Sequence, residues 1–390
     1  MKYDFDTPVS RYGTDAAKYA GLTGAHGELL PLWVADMDFP APPEVVAALQ
    51  ERVAHGIYGY GDLTGETYFA PLRKWYAERF DWKLQREWLV KTPGVVFAVY
   101  NALRALTREN DAVLLQEPVY YPFARAIRDN GRRVAVSELV YENGRYRVDY
   151  EDFERKIEEE GVRAFILCSP HNPVGRVWTR EELTRMGEIC LRHGVKVVAD
   201  EIHADFVRPG HRHTVFASIS PAFADNTITC TAPSKTFNLA GLQISNIFIS
   251  NEEMREAFKR EVGHTGYGEP NILGVVSCQA AYEKGGEWLE ELKDYLENNI
   301  AYVREYLAEH IPQIKLVEPE GTYLLWLDCR ALGMQPKELD DFIYCKAGLW
   351  LDDGRLFGKG GEGFQRINIA CPRVMLEEAM KRLEDAVKAL

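Results

Sequence analysis

TITCTAPSKTFNLAGL, residues 227–242, holds a short run of β-branched residues and, directly after it, a polar segment carrying a lysine. The run 227–231 suits a packed strand, and the proline at 233 ends it. The same grammar appears twice more upstream. AFILCS (164–169) leads into PHNPVG (170–175), and KVVAD (196–200) runs into DEIH (200–203). Further strand-like runs are AVLLQ (112–116), RVAVSEL (133–139) and SNIFIS (245–250). Amphipathic stretches at 94–107, 121–130, 149–160 and 179–193 fill the gaps as helices. Continuous apolar strands between such helices predict a mostly parallel sheet covered on both faces, an α/β core of about 240 residues.

Outward from that core the text changes. A charged helical stretch (286–309) precedes short strands around TYLLWLD (322–328) and QRINIA (365–370), then a last helix (373–389), which together predict a smaller α+β domain. The division expected is an N-terminal arm with part of the small domain at 1–45, a large domain at 46–285 and the small C-terminal domain at 286–390.

Composition narrows the function classes. The 390 residues carry a formal charge of −13, the opposite of what a phosphate-backbone partner selects, so no nucleic acid is expected. No window is apolar for the ~20 residues that span a bilayer, and the first residues lack a basic-then-apolar secretory pattern. The cysteine count is odd, seven, with wide spacing and no CxxC pair, which fits reduced thiols in a cytoplasm.

Ligands of open α/β sheets bind beyond the carboxyl ends of the strands. The residues there form a chemical set: Lys235 with Ser234 after one strand, Asp200 and His203 at the end of another, and Asn172 in the turn NPVG after a third. A lysine amine can form an imine with an aldehyde, and a carboxylate can keep a pyridine nitrogen protonated so that the ring accepts electrons. An amide can donate to the ring's phenolic oxygen. This is the requirement of pyridoxal 5′-phosphate, although each residue alone has a plainer reading as surface lysine, helix cap or turn.

HNPVG, the D-x-x-H after a strand, and SKTFNLAG 35 residues beyond Asp200 resemble the fold-type I, aspartate aminotransferase-like superfamily of pyridoxal-phosphate enzymes, over nearly the whole chain. The resemblance implies further roles. In TPGVVFAV (92–99), Gly94, Val95 and Val96 open a helix whose free N–H groups hold the cofactor phosphate. In EPVYYPF (117–123), Tyr120 stacks on the ring. Arg366 in FQRINIA clamps the substrate carboxylate, with Ala35 and Asn172 also at the substrate. Tyr60 in YGYGDLTG reaches the phosphate of the neighbouring subunit, which implies a homodimer with shared active sites. Lys235, Asp200 and Tyr120 are the catalytic residues implied.

Two departures narrow the group. Position 243 is Gln where the superfamily commonly has a phosphate-binding Arg, and His203 stands where Tyr is common. With LPLWVADMDFPAPPEV (30–45), SPHNPVGRVWT (169–179) and DEIHADFV (200–207), they resemble the bacterial cystathionine β-lyase, or cysteine-S-conjugate β-lyase, group. The expected activity is cleavage of a small amino-acid thioether to thiol, pyruvate and ammonia. An aminotransferase of the same fold is the alternative, and a non-catalytic protein keeping the fold is a second. A metal reading of His203, Asp205, His211 and His213 is set aside for a polar loop and a cofactor-pocket histidine, so no metal is expected. GKGGEG (358–363) precedes a strand, unlike a dinucleotide fingerprint, and is expected as a mobile loop near Arg366. Trp33, Tyr58 and Tyr121 are candidates either for the pocket or for the core.

Overall fold

The computed structural model describes residues 2–22, 29–60 and 65–390. Its central sheet has seven strands: β1 (Leu89–Thr92), β2 (Ala112–Glu117), β3 (Arg133–Glu138), β4 (Val162–Cys168), β5 (Lys196–Asp200), β6 (Thr227–Thr231) and β7 (Ser245–Phe248). Their order across the sheet is β1-β7-β6-β5-β4-β2-β3. From β6 to β3 every pairing is parallel, while β7 runs antiparallel to both of its neighbours. All residues of β6, and all of β5 except Lys196, are buried, as strands covered on both faces must be.

β1 and the reversed direction of β7 were not read from the sequence. LVKT is too short and too polar to register as a strand, and direction leaves no mark on composition.

Helices cover both faces. Val95–Leu106, Pro122–Asp129 and Glu252–His264 bring apolar side chains to a core with Val113, Leu115, Ile166, Val198 and Ile228. On the other face Tyr150–Glu160 and Arg180–Arg192 pack with Leu114, Phe165, Leu167 and Val197. Both of these helices start on an expected signal. Asp149 accepts from the amides of Glu151 and Asp152, and Thr179 with Glu182 closes a capping box.

Beyond Gly286–His310, a four-stranded antiparallel sheet contains Leu324–Asp328 and Phe364–Asn368, and the helix Arg373–Lys388 packs on it. The N-terminal segment joins this part: Leu30–Pro31 pairs in parallel with Leu349–Trp350, and Leu32 accepts from the amide of Asn368. Phe5 and Phe39 pack among Trp288 and Tyr295.

Residues 358–363 are folded tightly. A Cβ on Gly358, whose φ is +115°, would come within 2.1 Å of a Glu117 carboxylate oxygen, and one on Gly361 would meet the Gly354 carbonyl at 2.0 Å. The glycine-rich composition read as mobility instead serves close packing against the end of β2.

Candidate active site

The carboxyl ends of β4, β5 and β6 open into one cavity of about 200 Å³, lined by Ala35, Pro93, Gly94, Val95, Val96, Tyr120, Cys168, Asn172, Asp200, Ile202, His203, Ser234, Lys235, Ala240 and Ile244. Arg366 and Tyr60 are absent from this lining, as are the pocket-or-core candidates Trp33, Tyr58 and Tyr121. Arg366 stands behind it, donating to Asn172 Oδ1 at 3.0 Å. Tyr60 is 98% exposed and does not line the cavity of its own chain; residues 61–64 of its motif lie outside the described residues.

Lys235 sits on the single turn Pro233–Thr236 after β6, and its Nζ donates to the Ala35 carbonyl at 2.7 Å. Burial, with the Arg366 guanidinium adding to it, pulls its pKa down to about 8. Asp200 ends β5, and its Oδ1 accepts from the Ile202 amide at 3.1 Å. Burial pushes its carboxyl up to about 7, against that hydrogen bond and Lys235. The carboxylate therefore sits where a further cationic partner would stabilise it. His203 is buried, its Nδ1 is without a partner, and burial followed by the charges of Lys235 and Arg366 holds its imidazole neutral, well below the usual histidine range. Tyr323 packs edge-on against that ring at 5.8 Å and donates to the Ala35 carbonyl at 3.0 Å.

The turn bearing Asn172 is fixed from outside. Gly175 has φ +72°, and a Cβ there would press on Pro319 at 3.1 Å, so this position needs glycine. Arg176, 2% exposed, donates to Glu320 at 2.8 Å and to Glu182 at 2.8 Å. Because Asn172 Oδ1 accepts from Arg366, its amide nitrogen is the end left to donate. Gly94 caps the helix Val95–Leu106 in extended conformation, and a Cβ on it would meet nothing within 4 Å. The first amides of that helix, which have no intrahelical acceptor, thus face open space suited to an anion.

The contacts that Asn238, Arg11 and Lys18 make with the segment WVADMDF have no signature in the sequence. Asn238, three residues after Lys235, accepts from the Met37 amide at 3.0 Å and donates to the carbonyls of Met37 and Phe39 at 3.0 and 2.9 Å. Arg11 pairs with Asp36 at 2.5 Å and with Asp38 at 3.0 Å, and the wholly buried Lys18 meets Asp38 at 2.5 Å. The motif is legible in the sequence; its partners, up to 201 residues away, have no local signature.

The four residues of the metal reading do not converge. His213 pairs with Glu201 at 3.1 Å, Asp205 accepts from Trp75 and Thr236, and His203 faces the cavity. Among the described residues, the grouping close enough to share an ion is Glu154, Glu158 and His193, on the surface. Trp33 stacks on Trp350 at 4.9 Å, Tyr121 meets Phe357 at 5.7 Å, and Tyr58 is exposed with its hydroxyl on the Val53 carbonyl.

Residues 28–383 match the family described as aminotransferase class I and II. The chain belongs to this family. Within it, the chain is 42% identical to cystathionine beta-lyase PatB of Bacillus subtilis, covering 98% of this chain and all of that protein. It is 30% identical to the protein MalY of Escherichia coli over the full length of both. Cystalysin of Treponema denticola, whose crystal structure contains a pyridoxal 5′-phosphate cofactor, superposes with a TM-score of 0.96 at 40% identity, again over both whole chains. The fold is therefore the family's fold type I.

The cavity residues fit that cofactor. A ring nitrogen kept protonated would give buried Asp200 the cation it is short of. Asn172 has an amide hydrogen free for the ring oxygen, and the helix opening at Gly94–Val96 with Ser234 offers donors to a phosphate. Lys235 is the amine within the cavity. Gln243, at φ +50° after Ala240–Leu242, brings no positive charge, so the phosphate relies on backbone and hydroxyl donors.

Proposed function

We propose that this chain is a pyridoxal-phosphate-dependent carbon–sulfur β-lyase that cleaves cysteine thioethers of the cystathionine class to a thiol, pyruvate and ammonia. The observation that carries it is half-buried Lys235, its pKa pulled down to about 8, lining one cavity with buried Asp200 and Asn172. The whole-length likeness to a cystathionine β-lyase supplies the direction of the chemistry.

The cofactor, when bound, supplies an aldehyde that takes the substrate amino group and a pyridinium that draws electrons from Cα. Everything else falls to the chain. Asp200 keeps the ring nitrogen protonated, Asn172 donates to the ring oxygen, and Arg366 receives the α-carboxylate. Lys235 Nζ, neutral above about pH 8, takes the Cα proton. The ammonium so formed can hand that proton to the departing sulfur. Departure of the sulfur as the thiol leaves the substrate's three carbons as an enamine, whose hydrolysis gives pyruvate and ammonia.

The same reading takes the working form as a homodimer in which Tyr60 reaches the partner's phosphate. It places the protein in the cytoplasm, supported by seven cysteines that are all free thiols. It divides the chain into the arm 1–45, the large domain 46–285 and the small domain 286–390. No helix among the described residues is long and apolar enough to cross a membrane.

Cystathionine supplied without any keto acid tests the activity, with free thiol and pyruvate followed together. Equal amounts of both support the lyase. Turnover that begins only on adding a keto acid would make the protein an aminotransferase instead.

A further inference from the structure

Arg366 is already occupied by a carboxylate of its own chain. The strand register sets Asp352 directly across from it, and Asp352 Oδ2 accepts from Nη2. Both side chains are buried, at 3% and 2% exposure. The second hydrogen of Nη2 goes to the Trp33 carbonyl at 2.9 Å, and Nη1 donates to Asn172 at 3.0 Å. Nε is buried without a partner.

A guanidinium offers a carboxylate two forked faces, Nε with Nη2 and Nη1 with Nη2. Each uses Nη2, and both N–H groups of Nη2 are taken. A two-pronged grip on a substrate carboxylate is therefore blocked until Asp352 gives way.

We propose that Asp352 is a built-in competitor for the substrate carboxylate, holding Arg366 until an α-amino acid displaces it and so weakening capture of every such substrate. This rests on Arg366 being the carboxylate receptor. Space for the displaced side chain exists: Asp352 also borders a second cavity, beside Trp33, Tyr121 and Trp350. Arg366 would keep its place meanwhile, since Asn172, the Trp33 carbonyl and the Phe357 ring, 4.9 Å from the guanidinium, remain around it. Burial also raises the carboxyl of Asp352, which lowers the cost of leaving its partner.

The test uses holoenzyme and 2-methylalanine, an α-amino acid with no Cα hydrogen, with isopropylamine as the matching amine without a carboxylate. Binding of each is read from the visible spectrum of the cofactor. Asp352→Asn and Asp352→Ala should both bind 2-methylalanine at least about tenfold tighter than wild type, the size of one charge-assisted hydrogen bond, with isopropylamine unchanged. The KM for a thioether should fall more than kcat changes. Weaker or equal binding of 2-methylalanine by both variants would make Asp352 a mere orienter of Arg366 and overturn the proposal. Arg366→Leu separates the two levels: it should lose 2-methylalanine selectively, and if it binds like wild type, Arg366 is not the receptor and the underlying reading fails.

Discussion

Lys235 Nζ and the carbonyl oxygen of Ala35 are 2.7 Å apart, across 200 residues of sequence. The N-terminal segment thereby becomes part of the wall around the reactive amine. It also gives the lysine a backbone acceptor, and burial followed by Arg366 depresses its pKa to about 8 over the opposing charges of Asp36 and Asp200. Lys235→Ala should abolish covalent retention of the cofactor on gel filtration. It should also lower thiol release by at least about 10³-fold, the scale of a lost general base. Retention of a covalent adduct by the variant would move the attachment elsewhere.

Asp200 leads to a prediction about pH as well as rate. Its folded-state pKa is raised to about 7 by burial. A raised carboxyl costs the fold stability wherever it is ionised in both states, so the cost is complete above about pH 7 and disappears as pH falls toward the unfolded value near 4. Cofactor-free Asp200→Asn should therefore melt above cofactor-free wild type at pH 8, with the gap closing at pH 4.5. Loaded with cofactor the order should reverse, because the ring nitrogen now compensates the carboxylate, and kcat of the variant should fall by about 10²-fold or more. Differential scanning calorimetry at the two pH values, with and without cofactor, reads both signs.

Much of this was legible in the chain. The strand runs that end at Cys168, Asp200 and Thr231 announce themselves through β-branched, buried composition, and chemistry collects where they stop. What the sequence could not show is contact between distant segments. Lys18 reads as an ordinary charged residue, yet it is wholly buried against Asp38. Asp352 reads as part of an acidic turn, yet sheet register makes it the partner of Arg366. Pairing of that kind depends on strand direction and register, and neither alters local composition. The glycines at 358–363 show the converse: composition suggested freedom where the fold uses the missing side chains for closeness.

Asn238 is the clasp between the lysine segment and WVADMDF. It makes three hydrogen bonds to residues 37 and 39 and holds φ at +58°, a conformation asparagine tolerates better than alanine. Asn238→Gly keeps the backbone conformation and loses the bonds, costing about 1–3 kcal/mol. Asn238→Ala should cost roughly 1 kcal/mol more for the strained backbone. Urea unfolding of the pair measures the difference. Both variants should also raise KM, since Ala35 then depends on Tyr323 and Lys235 to keep its place. Equal midpoints for the two variants would contradict the backbone part of this account.

The proposed role of Tyr60 in a neighbouring subunit can be tested by mixing variants. The Tyr60 ring is 98% exposed and does not line the cavity of its own chain, which is the arrangement required if it serves a neighbour. Tyr60→Ala and Lys235→Ala should each be nearly inactive alone. Unfolded together and refolded as a mixture, they should form hybrid dimers in which one site combines an intact lysine with an intact tyrosine from the opposite subunit. Activity should then reappear, at roughly a quarter of wild type if subunits pair at random, because half the dimers are hybrids and each carries one whole site. Were Tyr60 to act within its own chain, every site in the mixture would lack one residue or the other, and mixing would restore nothing.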